Sequence, residues 1–258
     1  MRILWLVTLM SLALNAQAGQ CTARSGESTA ALVELYTSEG CSSCPPADRW
    51  LSTLGGRYAG RLVPLSLHVD YWDYIGWKDP YAKAQFTLRQ RKMSQLQRAA
   101  FVYTPEVLLQ GREFRGWGGA SFDAAVTDIN SRPARAHLSL GIDAVGKDRI
   151  EAKVSAQLAD RTTADAVLYV AAYENKLVSQ VAAGENRGRT LAHDYVVLEW
   201  QGPFALGPGA PLLRKQSLPL LPKAVPANSG VAAFVQDRHS AEVLQALMLP
   251  VCPAGMPQ

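Results

Sequence analysis

The chain has 258 residues, 48% hydrophobic and 19% charged, with a formal net charge of +4. That is too apolar for intrinsic disorder and long enough for one large domain or two smaller ones. The 26 basic residues are scattered, which gives no compositional support to nucleic-acid binding. Beyond the first twenty residues no apolar run is long enough to span a bilayer.

Arg2 is followed by the apolar run Ile3 to Leu14, and Ala16-Gln17-Ala18 places small residues where a signal peptidase reads. A cleaved signal over residues 1–18 is expected. It would deliver a chain without a stable membrane anchor to a bacterial periplasm or the exterior, where disulfides persist.

From Ala31 to about Ile129 strand-like and helix-like stretches alternate. Leu32 to Thr37 is a strand, and Ala47, Leu51 and Leu54 mark a helix stopped by Gly55. Leu62 to Val69 is again a strand. Asp79-Pro80 reads as the start of a helix carrying Phe86, Met93 and Leu96. Glu106 to Gln110 and Arg112 to Trp117 form a hairpin about Gly111, and Ser121 caps a last helix with Phe122, Val126 and Ile129 on one face. This order predicts an α/β layer around a small mixed sheet.

Arg132-Pro133 marks a break. Beyond it Ala136 to Leu140, Ile150 to Leu158, Ala166 to Tyr173, Leu191 to Trp200, Leu213 to Leu221, Val231 to Gln236 and Val243 to Leu249 read as strands at sandwich-like spacing. The expected domains are residues 19–132 and a β-sandwich over 133–258.

Cys41-Ser42-Ser43-Cys44 lies between a predicted strand and a predicted helix, the context that separates a redox pair from a chance one. A helix N-terminus favours a thiolate, and two intervening residues let a second thiol resolve a mixed disulfide. Cys41 is expected to attack and Cys44 to resolve, with the sulfurs at the mouth of the first domain. A static bridge and a metal site remain alternatives. Zinc would need two further ligands, and no second pair exists. Cys41, Cys44 and His68 could instead hold a soft ion such as Cu(I). Cys21 and Cys252, near the two ends, are expected to bridge.

Val33-Glu34-Leu35-Tyr36-Thr37-Ser38-Glu39-Gly40-Cys41-Ser42-Ser43-Cys44-Pro45-Pro46-Ala47-Asp48 resembles a secreted bacterial family of unknown function built on a thioredoxin-like domain. His68-Val69-Asp70-Tyr71-Trp72-Asp73, Gly76-Trp77-Lys78-Asp79-Pro80, Tyr103-Thr104-Pro105 and Gly184-Glu185-Asn186-Arg187-Gly188-Arg189-Thr190 are similar to the same family. The resemblance implies an α/β thioredoxin-like domain followed by an all-β, sandwich-like domain. It implies a cis Pro105 packed against the active pair, with the backbone of Thr104 pairing with substrate, and Glu34 as a buried proton relay to Cys44. Trp72 and Trp77 stand in an aromatic stretch that could form an apolar lip for a partner polypeptide. The loop Gly184 to Thr190, followed by His193 and Asp194, reads as a structured turn facing the first domain.

No nucleotide, nucleophilic-serine or zinc-protease motif occurs, and no cofactor is called for. The reading is a thiol–disulfide oxidoreductase acting on protein thiols and disulfides, with an unknown redox partner. A binding module that seldom turns over, or a structural envelope protein, are the other readings.

Overall fold

The computed structural model describes residues 21–159 and 165–252. The expected signal over residues 1–18 lies outside them. The elements of the first half are β1 (Cys21–Arg24), β2 (Ala31–Thr37), α1 (Pro45–Arg57), β3 (Leu62–His68), α2 (Ala84–Leu96), β4 (Glu106–Leu109), β5 (Arg112–Glu113) and α3 (Ala120–Asn130). A 3₁₀ turn over Asp70–Ile75 precedes α2. The second half adds β6 (Ala136–Val145), β7 (Arg149–Leu158), β8 (Ala166–Glu174), β9 (Leu177–Gln180) and β10 (Thr190–His193). It ends with β11 (Val196–Leu206), β12 (Leu212–Pro219), β13 (Ser229–Asp237) and β14 (Val243–Pro250).

An α/β thioredoxin-like domain followed by a sandwich is not what the chain builds. Strands of both halves join in one mixed eight-stranded sheet, ordered β14-β13-β8-β11-β3-β2-β4-β5. The junction is parallel, with Val196 opposite Ser66 and the Ser66 N–H donating to the Tyr195 carbonyl at 2.8 Å. A separate four-stranded sheet, β1-β6-β7-β12, packs on its C-terminal part, and β9 pairs with β10 alone.

The burial pattern explains the difference. β8 is buried at every position and β13 at all but its last, as in central strands covered on both faces. β6 and β7, by contrast, show the in–out alternation of a half-exposed sheet. One face of the large sheet is covered by α1 and α3 over β2 and β4, and by the four-stranded sheet over β8 and β13. On the other face Phe86 and Met93 of α2 pack with Tyr36, Leu65, Tyr169 and Phe234.

Three local expectations are corrected. Gly55 does not stop α1, which runs on to Arg57; a Cβ there would fall 1.9 Å from Tyr195 Oη, so glycine is needed for close packing. Asp79-Pro80 does not open α2, whose N-cap is Lys83; Asp79 is spent on buried hydrogen bonds instead. The Leu191 to Trp200 strand is two strands, β10 and β11, broken where Tyr195 takes a φ of 57°. β1 and β9 lie outside every expected strand.

Candidate functional site

β2 ends at Thr37, and a short loop carries the chain to Cys44, the N-cap of α1. Pro45 takes the first helical position, where a missing N–H costs nothing. The Cys44 N–H donates to the Cys41 carbonyl at 3.2 Å, closing the turn between the two cysteines. Cys41 and Cys44 are joined as a disulfide. The Cys41 sulfur lies 3.3 Å from Ser43 Oγ and 3.7 Å from the Thr104 carbonyl oxygen. The Thr104-Pro105 peptide is cis.

The sulfurs are not at an open mouth. Cys41 is 1% exposed and Cys44 fully buried, while Ser42 and Ser43 between them are exposed. The reason is that the loop is held from two sides. Trp72 and Ile75 pack against Gly40, where a Cβ would meet both at 3.3 Å. The Trp72 indole N–H donates to Thr104 Oγ1 at 2.7 Å, tying the 3₁₀ turn to the segment that faces Cys41. From the second half, Asn186 Nδ2 donates to the carbonyls of Glu39 and Cys41, each at 2.9 Å. The Ser42 N–H donates to Glu185 Oε2 at 2.9 Å.

Behind the pair lies a buried ionisable network. His68 Nδ1 lies 2.7 Å from Asp79 Oδ2, which also accepts from the Glu39 N–H at 2.9 Å. Burial alone would depress the His68 imidazole, but Asp79 outweighs it and raises His68 above the ordinary histidine value. Burial pushes Asp79 up, yet His68 and the backbone donors bring it below the ordinary carboxylate value. Glu39 accepts from Trp77 Nε1 at 2.8 Å and pairs with His193 Nε2 at 3.2 Å. His193 Nδ1 lies 3.8 Å from Asp48 Oδ2. Burial raises the Asp48 carboxyl above its usual range.

The protein-of-unknown-function family DUF1223 matches residues 32–236, a span that holds the cysteine pair, Pro105 and the whole network. The chain belongs to this family. No curated protein matches it. Among solved structures it is similar to a protein of Agrobacterium tumefaciens at 25% identity, over 91% of this chain and 100% of that one, with a TM-score of 0.65. It is also similar to HBP35 of Porphyromonas gingivalis at 17% identity, over 91% of this chain and 81% of that one, with a TM-score of 0.65. These likenesses concern the fold.

In this DUF1223 chain the structure brings Cys41, Cys44, Thr104, Pro105 and Trp72 together. Trp77 joins the site through Glu39 rather than as an open lip. Glu34, expected as a relay to Cys44, shares one face of β2 with Leu32 and Tyr36 and so faces the sheet side away from α1. Its carboxylate pairs with Arg89, with Oε2 3.0 Å from Nη2. His68 belongs to Asp79, and among the described residues no three His, Cys, Asp or Glu side chains are grouped to hold a metal ion. Cys21 and Cys252 form the expected second disulfide. The residues that sequence reasoning missed are Glu39, Asp48 and Asn186. Two of them stand inside the quoted CxxC motif and the third inside the Gly184 to Thr190 loop. Their only signal was membership of those stretches.

Proposed function

We propose that this protein is an exported thiol–disulfide oxidoreductase that works through Cys41 and Cys44 on protein thiols. The observation that supports this is the closed pair at the start of α1, with the Thr104 backbone carbonyl 3.7 Å from the Cys41 sulfur. Both sulfurs are buried, but Cys41 precedes the helix and faces that carbonyl while Cys44 is the helix N-cap, so Cys41 is the sulfur assigned to meet a partner. A substrate thiolate attacks Cys41 Sγ and breaks the Cys41–Cys44 bond, leaving a mixed disulfide and a Cys44 thiolate. A second substrate thiolate then displaces Cys41, so that the substrate is oxidised by two electrons and the pair is reduced. The reverse sequence reduces a substrate disulfide. Pro45 and Pro46 offer no N–H at the helix start, so what favours the thiolate in either direction is the positive end of the α1 dipole. Because the sulfur is covered, attack requires the exposed Ser42-Ser43 turn to move aside.

Two disulfides suit an oxidising compartment, and among the described residues no helix is long and apolar enough to cross a membrane. Burial of both sulfurs favours one competing reading, a static bridge pinning the loop to α1. Trapping separates the two. With Cys44→Ala, glutathione disulfide and exported proteins should form mixed disulfides through Cys41 that survive non-reducing electrophoresis. A variant that forms no adduct, beside a wild-type pair that dithiothreitol does not open without unfolding, establishes the static bridge.

A further inference from the structure

The exchange reaction as written uses none of the five buried ionisable groups behind the pair. Asp48 follows Cys44 by four residues on α1, so the two side chains leave the same face one turn apart. Asp48 is 5% exposed, and its Oδ1 has no hydrogen-bond partner; nor does His193 Nδ1. A buried carboxylate short of donors is drawn towards its neutral form and readily takes up a proton. Its neighbours are otherwise occupied. Glu39 has both oxygens engaged by Trp77 and His193, and Asp79 is held by His68 and by the N–H groups of Glu39 and Tyr81.

We propose that Asp48 is the proton acceptor for Cys44, and that His193, supplied by the second half of the chain, sets the pH at which it acts. This rests on the exchange reading above. In the mixed disulfide the Cys44 thiol passes its proton to the Asp48 carboxylate. The resulting thiolate attacks Cys41 Sγ, the Cys41–Cys44 bond forms, and the bond from Cys41 to the substrate sulfur breaks. The substrate leaves as a thiolate with the electron pair, and Asp48 returns its proton to solvent. Three charged groups act on Asp48 besides the thiol. His193 on β10 and His68 at the end of β3 favour its ionised form, and Asp79 before α2 opposes it.

The fully reduced protein is mixed with dithiobisnitrobenzoate, which releases one coloured thiolate when Cys41 attacks and a second when Cys44 resolves. Both phases are followed from pH 5 to 9. Asp48→Asn should slow the second phase about a hundredfold or more, the lower range for a lost general base, and remove its acid limb. The first phase should change far less. His193→Gln keeps the carboxylate but removes the group whose field favours its ionised form, so the acid limb should move to higher pH. A second phase with wild-type rate and pH profile in Asp48→Asn overturns the proposal. If that variant does not fold, an unmoved limb in His193→Gln overturns it instead. A wild-type protein that never releases the second thiolate overturns the exchange reading, and the relay with it.

Discussion

Glu106 follows Pro105 on β4 and is buried, with Oε2 accepting from Gln90 Nε2 at 2.6 Å. Burial, reinforced by Glu113 and Glu34, pushes its carboxyl up to about 7. An acid that holds its proton when folded and loses it when unfolded weakens the folded state as pH rises. Stability should therefore decline between the ordinary glutamate value and about 7, then level off. Glu106→Gln keeps the acceptor for Gln90 and removes the charge, so its urea midpoint should lose that decline and exceed the wild type above pH 7. Other single residues were legible only where they carried a motif. Cys41 and Cys44 stood out by spacing, and Pro105 only through the family resemblance of Tyr103-Thr104-Pro105. Asp48 occupies an ordinary early-helix position, where an acid is favoured by the helix dipole alone. Asp79 before Pro80 has the form of an N-cap, and nothing local shows that its oxygens are claimed by His68 and Glu39 instead.

At the scale of elements, the strand, turn and helix that carry the cysteines follow the expected order, because hydrophobic periodicity and proline placement are local signals. The clamp on the loop is not local, since Asn186 lies 145 residues from Cys41. Asn186→Ala would strand the Glu39 carbonyl and leave the Cys41 carbonyl only the Cys44 N–H, at a cost of roughly 1–3 kcal/mol. Its unfolding midpoint should fall, and the Cys41–Cys44 pair should open faster to dithiothreitol because the loop is freed. Gly55→Ala tests the packing of α1 against the second half. Its added methyl meets the Tyr195 hydroxyl, and overpacking of this kind costs typically 1–3 kcal/mol. A thermal midpoint equal to that of the wild type would show that Tyr195 moves aside freely.

For the whole molecule, the Cys21–Cys252 bridge spans 231 residues. Loop-closure entropy sets a ceiling of about 5 kcal/mol on its contribution. Cys21→Ser with Cys252→Ser should lower the stability by no more than that, measured by denaturant titration, and leave the CxxC chemistry intact. The bridge was legible because only two cysteines remained once the close pair was taken. The shared sheet was not, because strand runs with fully buried patterns show that a strand is central without showing whose neighbour it is. The seam between β3 and β11 therefore has a consequence for biogenesis. Residues 62–68 emerge with β2 to cover one side, but their other side stays bare until Val196 arrives, more than a hundred residues later. During synthesis this open flank can template a passing strand, so a version ending at Arg132 should self-associate in sizing columns.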